Sequence, residues 1–209
     1  MSESMFIRLF AGVSSDYFDI IPQVPFGQWL LPIGIFLLTV GIYVERDRKA
    51  ETFSLYRYGT ITDWWIRYFV KRVIAGIRIA VLLLLIVLTC DFVRGKLILL
   101  SVELLAKISV LWLFHSISMA ALFVLLDLLL VRRFAPGMLF LLEGITFIVG
   151  CRIRAVSHVM YGMWGMYLRS SLHETGGFPA GMIIVTEAAL PAVSFVIGRE
   201  YLKRETDYM

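Results

Sequence analysis

Charge and cysteine are both scarce in this chain. Of its 209 residues, 17% are Asp, Glu, Lys or Arg and 59% are hydrophobic, and the mean hydropathy is +0.82. Soluble domains hold about 45–50% apolar residues, so a soluble globular fold is excluded. Cys90 and Cys151 have no metal-ligand spacing and offer no disulfide framework, and they are expected to be free thiols. The histidines at 115, 158 and 173 lie in different segments and form no H-E-x-x-H, which argues against a membrane metalloprotease. No G-x-S-x-G or Cys/His set argues for nucleophilic catalysis. No G-x-x-x-x-G-K-[ST] occurs, so the chain is expected not to be an enzyme, and any ATP hydrolysis belongs to another chain. The opening "MSESMFIRLFAG" is no secretory signal, because its apolar run is short and Arg8 interrupts it. No internal repeat stands out. The net charge of +4 reads as anchoring on the cytoplasmic side, with no nucleic-acid partner.

What is present is a series of long apolar runs. The fold class expected is all-α, a polytopic membrane helix bundle with five spans in one transmembrane domain. The spans are predicted at 29–44, 73–93, 108–131, 137–151 and 178–198, since a helix of about 20 apolar residues crosses a bilayer. Residues 1–28 form an external segment with a short interfacial or re-entrant helix. The apolar block 97–131 is too long for one span, about 52 Å against a core of about 30 Å. It is split into an interfacial piece before Lys107 and a span after it, and "FAPG" (Phe134–Gly137) then punctuates the chain. With the 45–72 loop in the cytoplasm, the inner side collects twelve basic residues and the outer side six. That asymmetry predicts a multi-pass protein of the cytoplasmic membrane with a cytoplasmic C-terminus.

The 45–72 loop, "ERDRKAETFSLYRYGTITDWWIRYFVKR", gathers many of the charges. Before Gly59, Phe53, Tyr56 and Arg57 share one helical face, with Tyr58 beside the turn. After it, Thr60 and Asp63 make a capping-box-like start. Trp64 and Trp65 are expected at headgroup depth, with Arg67, Lys71 and Arg72 facing lipid phosphates. An aromatic belt with a positive-inside anchor to the lipid bilayer explains the second half of the loop. The aromatic and arginine face ahead of the turn also suits a docked partner.

The run "IIPQVPFGQWLLPIGIFLL" and the loop after it resemble small bacterial ABC-type exporter permeases of the peptide-export and bacteriocin self-protection kind. Arg57, Tyr58, Gly59, Trp64, Trp65 and Lys71 match their "RYG", tryptophan and basic-residue pattern at the entry to a span. "MYGMWGMYLRSS" (Met160–Ser171) is similar to the loop before their last helix. Members of that family carry one more span than is predicted here. The resemblance implies a permease half whose coupling segment (Phe53, Tyr56, Arg57, Tyr58, Gly59, Asp63) docks on a separate ABC ATPase subunit. ATP and Mg would belong to that subunit, this chain would hold no cofactor, and a second permease half, the same or a different chain, would complete the path.

Glu143 and Glu187 lie near the middle of two spans, where a charge costs about 2.5–3.5 kcal/mol, so they are expected to face protein or water. With His115 and Arg78 they mark either a substrate path or polar helix–helix contacts, while Arg78 can also snorkel. Asp127 is expected to pair with Arg132 and Arg133, and Glu103 with Lys107. The 152–177 loop is rich in methionine and aromatics and suits an amphipathic helix on the outer surface. Two functions stay open: export of a hydrophobic or peptidic substrate, or a non-transporting accessory or immunity protein that binds a peptide or scaffolds a complex.

Overall fold

The computed structural model describes residues 4–14, 23–51, 60–97, 100–130 and 134–207. The named elements of the described chain are all helices. The helices are α1 (Met5–Phe10), α2 (Gln23–Glu51), α3 (Ile61–Val93), α4 (Val102–Leu129), α5 (Ala135–Arg152) and α6 (Ala180–Asp207). Short 3-10 turns lie between α5 and α6. All but α1 are long and apolar enough to cross a membrane, which gives the five expected spans.

Local chemistry moves their ends. The Thr60 hydroxyl accepts from the Asp63 amide at 3.1 Å and donates to its carboxylate at 2.7 Å. That cap starts α3 at Ile61, so the expected interfacial piece and span are one continuous helix. Gly95, at φ +66°, closes α3 ahead of the 97–131 block, and Ser101 within the block caps the next helix by accepting from Leu104 N at 3.2 Å. Helix α4 therefore begins at Val102 rather than 108, and the Glu103–Lys107 pair sits in its first turns at 2.5 Å. Pro136, in the first turn of α5, needs no helical donor there.

Helix α4 is the pole of the bundle: 67% of its apolar window is buried, against 22–39% for the other spans. Its neighbours approach closely where side chains are small. A methyl on Gly76 of α3 would lie 2.6 Å from Ala120 Cβ on α4. The C-terminal ends of α2, α4 and α6 share one end of the bundle with the N-terminal ends of α3 and α5. The opposite end holds the α3–α4 turn, α1 and the α5–α6 connection, and is called here the capped end.

The cap is tied by buried polar groups. Asp91, at the end of α3, accepts from Ser4 Oγ (2.5 Å), Met5 N (3.0 Å) and Phe6 N (2.8 Å), so its carboxylate satisfies the start of α1. Phe6 and Phe10 are fully buried beneath it. The α5–α6 connection is not the expected surface helix. It threads inward, with Met163 and Met166 fully buried. Arg169, 1% exposed, donates from Nε to Val13 O (3.0 Å) and from Nη2 to Ser14 O (3.1 Å). Burial pulls its guanidinium below the ordinary value.

Asp91→Ala would leave a hydroxyl and two amides without their acceptor, at a cost of about 1–3 kcal/mol. The expected outcome is a lower unfolding temperature in detergent and faster proteolysis near α1, with a smaller loss for Ser4→Ala.

Candidate functional site

Three spanning helices each contribute one ionisable side chain to the same point. His115 Nδ1 lies 2.5 Å from Glu187 Oε1 of α6, and His115 Nε2 lies 2.5 Å from Glu143 Oε1 of α5. The imidazole is thus held edge-on between two carboxyl groups. His115 and Glu187 are fully buried and Glu143 is 1% exposed. The row lies about two turns into α6 from the capped end.

The roof over the row comes from the α5–α6 connection. Tyr161 places its hydroxyl 3.0 Å from Ser118 Oγ, and Ser118 donates to His115 O at 2.8 Å. The Tyr161 ring centroid is 5.0 Å from that of His115, and Trp29 of α2 lies 6.1 Å away on another side. Two glycines make this approach feasible. Gly162 packs directly on the Glu143 carbonyl, where a Cβ would collide, and donates its amide to Thr146 Oγ1 at 2.8 Å. Gly165 has φ +76°, a conformation open to glycine, and a side chain there would lie 2.8 Å from His115 Cβ. Pro191, one turn beyond Glu187, cannot donate to the Glu187 carbonyl, which adds a polar atom beside the row.

The geometry brings together Glu143, Glu187 and His115, and leaves Arg78 out. Arg78 is exposed on α3. Among the described residues no group of His, Cys, Asp or Glu side chains has an arrangement suited to a metal ion. Both ring nitrogens of His115 are already engaged by carboxyl groups.

A second polar knot sits at the other end of α4, and it corrects part of the expected lipid anchor. Trp65 and Arg72 are fully buried between helices instead of facing headgroups. Trp65 lies flat on Gly198 of α6 and donates from Nε1 to Phe195 O at 2.9 Å. The Arg72 guanidinium stacks 3.3 Å over the Tyr68 ring, and the Tyr68 hydroxyl donates to Asp127 at 3.0 Å. Asp127 is therefore held within the bundle by Tyr68; its expected partners Arg132 and Arg133 lie outside the described residues. The basic stripe places these residues on a helix near a membrane edge, but it cannot say which face turns inward. Trp64 stays half-buried, Arg67 is exposed, and Lys71 pairs with Asp47 of α2 at 2.6 Å. Asp63 caps α3, and Phe53, Tyr56, Arg57, Tyr58 and Gly59 lie outside the described residues.

Sequence reasoning did not single out Asp91, Tyr161 or Arg169. Asp91 carried a signal, an acid in the last turn of an apolar helix. Tyr161 and Arg169 carried none, because their partners are remote in the chain. No protein-family model, curated protein or solved structure matches this chain.

His115→Ala would strand two carboxyl groups in a dry interior, at a cost of about 3–5 kcal/mol. Thermal unfolding in detergent should show that loss, and adding Glu143→Gln with Glu187→Gln should recover part of it. Gly162→Ala, which forces the roof off α5, should cost about 1–3 kcal/mol.

Proposed function

We propose that the chain is the transmembrane subunit of an ABC-type exporter, moving a hydrophobic or peptidic substrate with energy from a separate ATPase that docks on the 45–72 segment. The observation that carries the reading is the ionisable row at the junction of α4, α5 and α6. A membrane bundle that keeps three such groups together in its interior devotes that point to handling charge or polar solute.

The overhang of α2 and α3 supports a docking arm beside it. They are about 43 and 50 Å long, against a hydrocarbon core of about 30 Å. The polar ends that flank the 45–72 turn run past that core, and the Lys71–Asp47 pair braces them together. A rigid arm of this kind can transmit force from a motor subunit into α2 and α3. In this reading ATP and Mg belong to the partner, and a second permease half faces this one across the path.

One observation favours the other reading, a non-transporting accessory or immunity protein. The α5–α6 connection fills the capped end, and the cavity beside it, lined by His158, Trp164, Phe178 and Thr186, holds about 10 Å³, room for a single water.

Co-purification in mild detergent from the native host separates the two, comparing wild type with Tyr56→Ala combined with Arg57→Glu. The exporter reading expects an ATPase to travel with wild type and to be lost from the variant, while the variant still elutes as a folded species. Absence of any ATPase from both samples would hand the function to the accessory reading.

A further inference from the structure

We infer that Glu187, His115 and Glu143 form a proton-loading site that fills from the capped end through the small cavity below His158. The inference stands apart from ATPase docking, since it concerns the bundle alone.

Proton counting comes first. A neutral imidazole has one N–H, yet both ring nitrogens of His115 sit 2.5 Å from carboxyl oxygens. Each close contact needs a proton between the two atoms. The row therefore holds two protons, either as an imidazolium between two carboxylates or as a neutral ring between one carboxyl and one carboxylate. Both arrangements carry one net negative charge.

Among the described residues no cation is paired with the row; Arg169, buried on the same connection, is turned to Val13 O and Ser14 O. Helices α4, α5 and α6 each contribute one member of the row itself. The connection adds Tyr161, whose hydroxyl faces Ser118, and His158 at the cavity mouth. Helix α2 adds the uncharged Trp29. On α3, Asp91 is taken up by α1 at the capped end, and Arg72 lies over Tyr68 at the other. On α1, Arg8 is exposed. An isolated charge buried this deeply is costly, and a third proton removes it.

The acceptors for that proton are Glu143 Oε2 and Glu187 Oε2. Both are buried and have no hydrogen-bond partner among the described residues. A buried oxygen without a donor costs about 1–3 kcal/mol and more if charged, so uptake lowers the cost of that oxygen by removing its charge.

The cavity supplies an entry. Ile183 and Thr186 line it, and Ile183 stands one helical turn above Glu187 on α6. His158, exposed at its mouth, can pass a proton from solvent to a water inside. From Glu187 the proton moves along the row in balanced steps. Starting from the neutral ring, Glu187 gives its Oε1 proton to Nδ1 while the ring gives its Nε2 proton to Glu143 Oε1, and the emptied Glu187 then takes the entering proton on Oε2. One proton enters, no electrons move, and either carboxyl can hold the charge-neutral form.

Infrared difference spectra of the full chain in nanodiscs, recorded between high and low pH, test this directly. Wild type is expected to show a protonated-carboxyl C=O band that grows as pH falls and shifts in D2O. The band should vanish in Glu143→Gln/Glu187→Gln and persist in Asp91→Asn and in Asp127→Asn. Should the double variant fail to elute as a folded species, each single Gln variant should still move the midpoint by about one pH unit or more, one unit being about 1.4 kcal/mol. No pH-dependent band in wild type, a band that survives the double variant, or midpoints unmoved in the single variants would overturn the site. After a pH jump the band should appear several-fold more slowly in His158→Ala, and an unchanged rate would overturn the route through the cavity.

Discussion

The bundle depends on an imidazole gripped from both sides by carboxyl groups. Helices in an apolar solvent gain little from hiding hydrocarbon, because the surroundings are equally apolar. Packing and polar contacts must hold them. His115 joins α4 to α5 through one nitrogen and to α6 through the other, so one ring fixes the relative rotation of three helices. The α5–α6 connection then packs onto that point, with Gly162 against α5 and Gly165 against α4.

The two polar nodes divide the work of α4. His115 and Asp127 are twelve residues apart on it, about 18 Å, with fully buried Met119, Ala120, Ala121 and Val124 between them. Above, the node is acidic and roofed by the connection. Below, Asp127 meets the Tyr68 hydroxyl, and Arg72 lies over the Tyr68 ring. The segment between them is close-packed, with little free volume to absorb a displacement at either node.

Much of this was legible in the sequence. Five spans follow from the length of the apolar runs, and the start of α3 follows from Thr60 and Asp63. Glu143, Glu187 and His115 each stood out as ionisable groups in apolar surroundings. Their convergence did not, because α4 and α5 are apolar on every side and no stripe marks the inward face. The same ambiguity hid Trp65 and Arg72, whose composition fits a lipid anchor and a helix–helix seam equally well. The connection misled for a different reason. Its methionines and aromatics suit a surface helix, and what draws it inward is the glycine spacing at 162 and 165 and the reach of Arg169 to Val13 and Ser14.

The tether of α1 has a consequence for biogenesis. Ser4 finds its acceptor 87 residues later in the chain, and Val13 is gripped by a guanidinium 156 residues later. These early residues leave the ribosome long before Asp91 and longer still before Arg169. They must wait, unseated, while the spanning helices insert one after another. Seating of α1 is therefore a closing step of assembly, and it reports that α3 and the α5–α6 connection have both reached their places.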